Sequence, residues 1–104
     1  MSKQSVLKTP KGRPVKLADG RTYVLAPLSL NTLANLEEEF DCELDELEAR
    51  LRGRTATAFR KWLWVLLREN YPEMTLEEAG KLVELSQMEA IMAELTAAFD
   101  ELKT

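Results

Sequence analysis

The side chains that carry acid–base and metal chemistry in most enzymes are scarce in this sequence. The 104 residues include no histidine, so the commonest general base and the commonest transition-metal ligand are missing. A single cysteine, Cys42, excludes an internal disulfide and a cysteine metal cluster. Because its acidic neighbours disfavour a thiolate, we expect Cys42 to be buried or half-buried and unreactive.

Carboxylates are abundant, and they are concentrated in residues 37–48. The pattern does not place two of them in contrasting environments, as general acid–base catalysis requires. The segment also lacks the glycine of an EF-hand loop, so it does not predict a calcium site. We therefore predict a protein that is not an enzyme and that takes no metal or cofactor. The acidic residues of this segment are Glu37, Glu38, Glu39, Asp41, Glu43, Asp45, Glu46 and Glu48.

Charge changes sign in blocks along the chain. Residues 1–36 are basic apart from Asp19, the acidic segment follows, and a second basic group lies in residues 50–61. Such blocks indicate either electrostatic complementarity with a partner or solvated faces that keep a small domain in solution. Nucleic acid is disfavoured as a partner, because the last predicted helix is acidic and phosphate would repel it.

The element that must position any site is a helix predicted for residues 55–70 (TATAFRKWLWVLLREN). Apolar residues recur at helical spacing on one face, and Trp64 and Val65 add bulk to the opposite face. A helix that is apolar nearly all round is central to a core or buries its second face in a partner. Thr55 or Thr57 is available as its N-cap. We predict that this is the central helix.

Two different segments open the chain. Residues 1–14 are polar and basic, with proline and glycine interruptions, and predict a flexible arm. Residues 15–25 (VKLADGRTYVL) predict a β-hairpin. A two-residue turn would pair Leu17 with Thr22, whereas a three-residue loop ending in a left-handed Gly20 pairs Leu17 with Arg21. We favour the second register, because it gathers the apolar side chains on one face. Those side chains are Val15, Leu17, Tyr23 and Leu25.

Four further helices are predicted around the central one. Ser29 caps the first, and Gly53 ends the second. Residues 75–78 (TLEE) and 86–89 (SQME) match the capping-box pattern and begin the last two. The fold class is thus mainly α (α+β): residues 15–104 form one domain, with a short N-terminal β-hairpin packed on a bundle of about five helices. The apolar stripes of the first two helices are Leu30, Leu33, Leu36 and Phe40, and then Leu44, Leu47 and Leu51.

The order of these segments resembles a known family. A hairpin with an aromatic second strand (residues 23–25, YVL) leads into residues 27–30 (PLSL), an acidic helix ends at Phe40, and the segments WLWVLLREN and YPEMTLEEAGKLVEL follow. Over residues 15–102 this pattern resembles the small tail assembly chaperones of long-tailed bacteriophages and prophages.

The resemblance implies a non-enzymatic protein that binds the phage tape-measure protein. It would keep that long helical chain in solution and help to recruit tail-tube protein subunits to it. The location implied is the cytoplasm of the bacterial host, and the finished virion would lack the protein. In many members a ribosomal frameshift makes a longer form, and this chain would then be the short form.

A predicted partner-binding site comes from the residues themselves, since the family has no fixed signature to carry over. Trp62 and Trp64 lie roughly 200° apart around a helix, so one packs in the core while the other faces a second layer or a partner. A chaperone for a chain with apolar stripes needs an apolar groove with a charged rim. We therefore predict partner contact through the exposed side of the central helix. The residues on that side are Trp64, Val65, Arg60, Lys61 and Arg68.

Alternative functions stay open at this point. A structural tail component would assemble with copies of itself, and a small helical nucleic-acid-binding protein would use the basic residues. The homo-oligomeric state is not predicted. No apolar run approaches the ~18 residues of a membrane span, and the N-terminus lacks the apolar core of a signal peptide, so we expect a cytosolic protein with no membrane partner.

Overall fold

The computed structural model describes residues 12–53 and 56–101. Over these ranges the chain forms an antiparallel β-hairpin followed by five α-helices, which confirms the predicted mainly helical α+β fold. No helix within these ranges has the length and apolar character needed to cross a membrane. The elements are β1 (Arg13–Lys16), β2 (Thr22–Leu25), α1 (Leu30–Phe40), α2 (Leu44–Arg52), α3 (Ala56–Arg68), α4 (Leu76–Lys81) and α5 (Leu85–Glu101).

The hairpin has the predicted three-residue loop. The Leu17 N–H donates to the Arg21 carbonyl at 3.0 Å, and Val15 lies opposite Tyr23. Gly20 has a φ of +83°, which supplies the left-handed residue that closes such a loop. The register places Leu17 in the core, as predicted. β1 begins at Arg13, so it includes two residues of the predicted arm, and residues 1–11 lie outside the described part of the chain.

The outer edge of β2 is closed by side chains from the segment that follows α3. The Val24 N–H donates to the Tyr71 hydroxyl at 3.0 Å, and the Asn70 side-chain amide donates to the Val24 carbonyl at 2.8 Å. The rings of Tyr23 and Tyr71 meet edge to face at 5.4 Å between centroids. Because an open strand edge can pair with another chain, these contacts remove that hazard and fix the hairpin on the helices.

Helix α3 is the central helix, as predicted. It packs against β2, α1, α2 and α4, and the Ala26 N–H donates to the carbonyl of Leu66 at 3.1 Å. Thr57 lies inside the helix and is not its N-cap, while Thr55 lies outside the described residues. The buried side chains of α3 are Phe59, Trp62, Leu63, Val65, Leu66 and Leu67.

Helix α1 begins and ends through its own local chemistry. The Ser29 hydroxyl accepts from the Thr32 N–H at 3.3 Å, which confirms the predicted cap. The helix ends at Asp41, a non-glycine residue in the left-handed conformation with a φ of +53°. Gly53, which ends α2, is instead right-handed, with a φ of −65°.

The predicted apolar stripes of α1 and α2 are too long at their starts. Leu30 is 82% exposed and Leu44 is 43% exposed, so these two residues were wrongly assigned to the core. Each is the first residue of its helix, where the chain has only begun to turn onto the core. The buried face of α1 begins at Thr32.

Of the two predicted capping boxes, one forms. Thr75 Oγ1 accepts from the Glu78 N–H at 3.1 Å, and Glu78 Oε1 accepts from the Thr75 N–H at 2.9 Å. The box predicted at Ser86 is wrong, because α5 begins one residue earlier and Ser86 lies inside it. There the Gln87 side chain accepts from the Glu84 N–H, at 3.4 Å.

Helix α5 packs on the rest of the fold through long side chains. The ring of Phe99 meets that of Trp62 edge to face at 6.2 Å between centroids, so α5 packs on the central helix. The Trp62 Nε1 atom is buried there without a hydrogen-bond partner among the described residues. Arg13 Nη1 contacts Glu94 Oε1 at 3.0 Å and so joins β1 to α5.

The two predicted capping boxes provide a matched test of local stability. Thr75→Ala removes the hydroxyl that accepts from the Glu78 N–H at the start of α4 but keeps the Thr75 N–H that donates to Glu78, and we expect it to lower the free energy of unfolding by about 1 kcal/mol. Ser86→Ala changes an exposed position inside α5, where alanine is the better helix former, and should not lower it. Urea unfolding followed by circular dichroism measures both, and equal losses would contradict the assigned helix starts.

The hairpin loop makes stability depend on pH. The Tyr23 hydroxyl donates to Asp19 Oδ2 at 2.6 Å, and this bond, followed by the Arg21 N–H, holds the pKa of Asp19 below its usual value. The same bond is the main cause that raises the pKa of Tyr23. The Asp19 contribution is therefore present above about pH 4 and lost as pH falls through the lowered pKa. The Tyr23 contribution is present below about pH 10 and lost as pH rises through the raised pKa.

Asp19→Asn tests the acidic side of this dependence. We expect the variant to be less stable than the unmodified chain at pH 7, because an amide accepts more weakly than a carboxylate. The difference should be smaller at an acidic pH, as the carboxyl group of the unmodified chain becomes protonated. Urea unfolding at the two pH values measures it, and a difference that is the same at both would rule out the carboxylate as the cause.

Candidate partner-binding surface

The five predicted contact residues lie on α3 but do not form an open surface. Val65 is 0% exposed, so the prediction that it lies on the exposed side of the helix is wrong. The reason is that α1, α2, α4 and β2 all pack against α3, and the second apolar face of the helix is covered by the chain itself. A helix that is apolar nearly all round either lies at the centre of a core or buries its second face in a partner. At Val65 the first explanation holds.

Trp64 is half-buried and is held by contacts within the chain. Its indole Nε1 donates to the Met74 carbonyl at 2.9 Å, and the Arg68 guanidinium lies 4.4 Å from the centre of its ring. Arg68 Nη1 also contacts Glu39 Oε2 at 2.9 Å. Trp64 therefore joins α3 to the segment before α4, with Arg68 stacked on it.

Lys61 and Arg60 also contact neighbouring helices. Lys61 Nζ donates to the Glu39 carbonyl at 3.1 Å and lies 5.2 Å from the centre of the Phe40 ring. Arg60 is exposed, and it lies over Gly80 so closely that a Cβ there would come within 2.8 Å of its Cδ. The side chains of Lys61 and Arg60 thus pack against α1 and α4 respectively.

The acidic and basic blocks of the sequence meet at the end of α1. The last turn of α1 contains acidic residues and no basic one, which is unfavourable at the negative end of a helix dipole. Cations from other helices supply the compensation: Lys61 binds the Glu39 carbonyl, Arg68 binds the Glu39 carboxylate, and Arg50 Nη1 donates to the Phe40 carbonyl at 2.9 Å. The charge blocks therefore complement each other in part within the chain.

An apolar surface lies instead along α5. Leu85 is 86% exposed, and a groove of about 270 Å³ runs from it past Met88 to Met92. A second groove, of about 540 Å³, shares Glu89 and Met92 with the first. We refer to the two together as the α5 groove. The residues that line it are Leu51, Leu85, Met88, Glu89, Met92, Ala93, Thr96, Ala97 and Asp100.

The α5 groove was missed because its lining overlaps the buried stripe of α5. Met92 belongs to both, and Ala93 follows it in sequence. Small side chains at positions 93, 96 and 97 leave a hollow beside the core stripe, and that pattern is visible in the sequence. The exposure of Leu85 depends on the residue at which α5 begins. The sequence pattern placed that helix start incorrectly.

The chemical groups near these surfaces do not form a metal centre. Within residues 12–53 and 56–101, no group of three or more histidine, cysteine, aspartate or glutamate side chains is arranged to hold a metal ion. Cys42 is half-buried and unpaired with another cysteine, in agreement with its prediction as a small, partly buried side chain.

Comparisons of the chain with protein-family models, curated proteins and solved structures find no match. A function has to be assigned from the residues and their geometry. Two of the surfaces described bear on that assignment, namely the polar contacts of α3 and the α5 groove.

Arg68→Met tests whether the α3 cations hold the fold together. The change removes both the contact on Trp64 and the pair with Glu39, and we expect a loss of about 1 kcal/mol in the free energy of unfolding. Arg60→Met is the matched control, because Arg60 is exposed on the same helix and methionine preserves its packing over Gly80. Urea unfolding measures both, and equal effects would contradict a special role for Arg68.

Proposed function

We propose that this chain is a tail assembly chaperone of a long-tailed bacteriophage or prophage. It is a non-enzymatic protein that binds the tape-measure protein and helps to recruit tail-tube subunits while the tail is assembled. It acts in the cytoplasm of the bacterial host and is not part of the finished virion. The resemblance of residues 15–102 to that family supports the proposal.

The structural observation that carries the proposal is the open α5 groove. Leu85 is 86% exposed at one end of it, and Met88 and Met92 continue the apolar lining. An apolar groove of this kind suits the apolar stripe of a helical client, which has to be covered until assembly. Methionine side chains also adapt their shape to different contacts, which suits a long helical client.

The placement of the cations argues against nucleic acid as the main partner. Lys61 and Arg68 on α3 are occupied by the end of α1, as described above. The sequence of α5 contains no lysine or arginine, so its groove presents carboxylates rather than cations. Phosphate would be repelled there, and affinity for nucleic acid depends on such phosphate contacts.

The experiment is co-expression of this chain with the tape-measure protein encoded beside it. We expect the tape-measure protein to remain soluble and to co-purify with this chain, and to aggregate when expressed alone. The complex should persist at about 0.5 M salt, because apolar contacts are not screened by ions. A binder of nucleic acid would instead release its ligand steeply over that range.

The control is the same co-expression with an unrelated small helical protein. If the tape-measure protein aggregates equally with either, the chaperone proposal fails. If this chain instead forms rings or tubes by itself at high concentration, it is a structural tail component. Sedimentation of the purified chain distinguishes those two results.

A further inference from the structure

We propose that the α5 groove binds one amphipathic helix of a partner, with an apolar stripe flanked by lysine or arginine. This inference rests on the proposed function in one respect, namely that the partner is a helical client. It adds the surface, the conformation of the bound segment and the sign of its flanking charges. The surface is on α5 and not on α3, where the sequence pattern had placed it.

The shape of the groove matches a helix. Its lining runs along α5 from Leu85 to Asp100, a stretch of roughly 24 Å at the rise of an α-helix, which is about four turns. The α5 positions recur at spacings of three and four, so they form one continuous stripe. Ala93 and Ala97 are small and exposed in the middle of that stripe, which lets the backbone of a second helix come close.

The charges of the groove select a basic partner. The charged side chains in its lining are Glu89 and Asp100, and Glu84 precedes the helix. A carboxylate accepts several hydrogen bonds, so contacts that Glu89 and Asp100 have within the chain do not prevent further ones to a partner. A second copy that packed through the same groove would set carboxylates against carboxylates, which is unfavourable. A basic amphipathic helix meets both the apolar lining and its acidic border.

The test uses the full-length chain and a synthetic peptide of about 16 residues, with leucines at helical spacing and flanking lysines. Fluorescence anisotropy of a labelled peptide measures its dissociation constant. We expect saturable binding, and binding at least about tenfold weaker when the flanking lysines are replaced by glutamates. Equal affinity for the two peptides would overturn the charge selection.

A matched pair of variants, Ala93→Lys and Ala90→Lys, tests whether the peptide binds in the α5 groove. Both are exposed alanines on α5, one turn apart, and both variants gain the same charge, but only Ala93 lines the groove. We expect Ala93→Lys to weaken peptide binding by about tenfold or more and Ala90→Lys to leave it within about twofold. Equal effects would overturn the assignment of the groove. Ala97→Lys provides a second groove variant, and circular dichroism checks that each variant is folded.

Two further measurements separate this inference from the proposed function. If Ala93→Lys keeps the tape-measure protein soluble as well as the unmodified chain does, the chaperone function stands and the α5 groove is not its site. If the unmodified chain binds the peptide in the groove but leaves the tape-measure protein insoluble, the groove stands and the chaperone function fails. A stable dimer of the unmodified chain that Ala93→Lys abolishes would show that a second copy occupies the groove, and would overturn the proposal.

Discussion

Helix α3 is enclosed on nearly every side, and its charged side chains Lys61 and Arg68 lie against the end of α1. The last turn of α1 is acidic, and the unpaired carbonyls of a helix end are themselves partly negative. Lys61 and Arg68 neutralise that end from one side and Arg50 from another. The same contacts stack Arg68 on Trp64 and set the position of α1 against the central helix. The packing of the core and the distribution of charge therefore depend on one junction.

This junction decides which surfaces remain for a partner. The apolar second face of α3 is buried, Trp64 is hydrogen-bonded to the Met74 carbonyl, and Lys61 and Arg68 are engaged with Glu39. Helix α5 contacts the core through a single stripe and leaves the adjacent stripe open. The exposed residues of that adjacent stripe, such as Ala93 and Ala97, are separate from the buried residues that hold the fold. A surface of this kind can change its lining residues with little effect on stability, because exposed positions tolerate substitution.

The predictions that held depend on local chemistry. The hairpin register followed from the side-chain alternation and a glycine that accepts a positive φ, and Ser29 and Thr75 cap the amides three residues ahead of them. The failures concern residues whose exposure is set by other elements. Val65 was assigned to the surface and Leu30 to the core from the helical wheel alone, which shows the two faces of a helix but not what covers them. The α5 groove could be predicted only in part, since its position requires the end of α2, at Leu51, to lie beside α5.

The contact between Arg13 and Glu94 joins residues 81 positions apart in the chain. The hairpin also contacts distant parts of the chain, since the Ala18 N–H donates to the Leu82 carbonyl, and α5 returns both to the first strand and to Trp62. Closing a loop of this length has an entropic cost, which the contacts of α5 with the strand and the core offset. Among the described elements α5 comes last in chain order, and its Phe99 ring packs on the indole of Trp62. The helix that carries the groove is thus also the helix that completes the core.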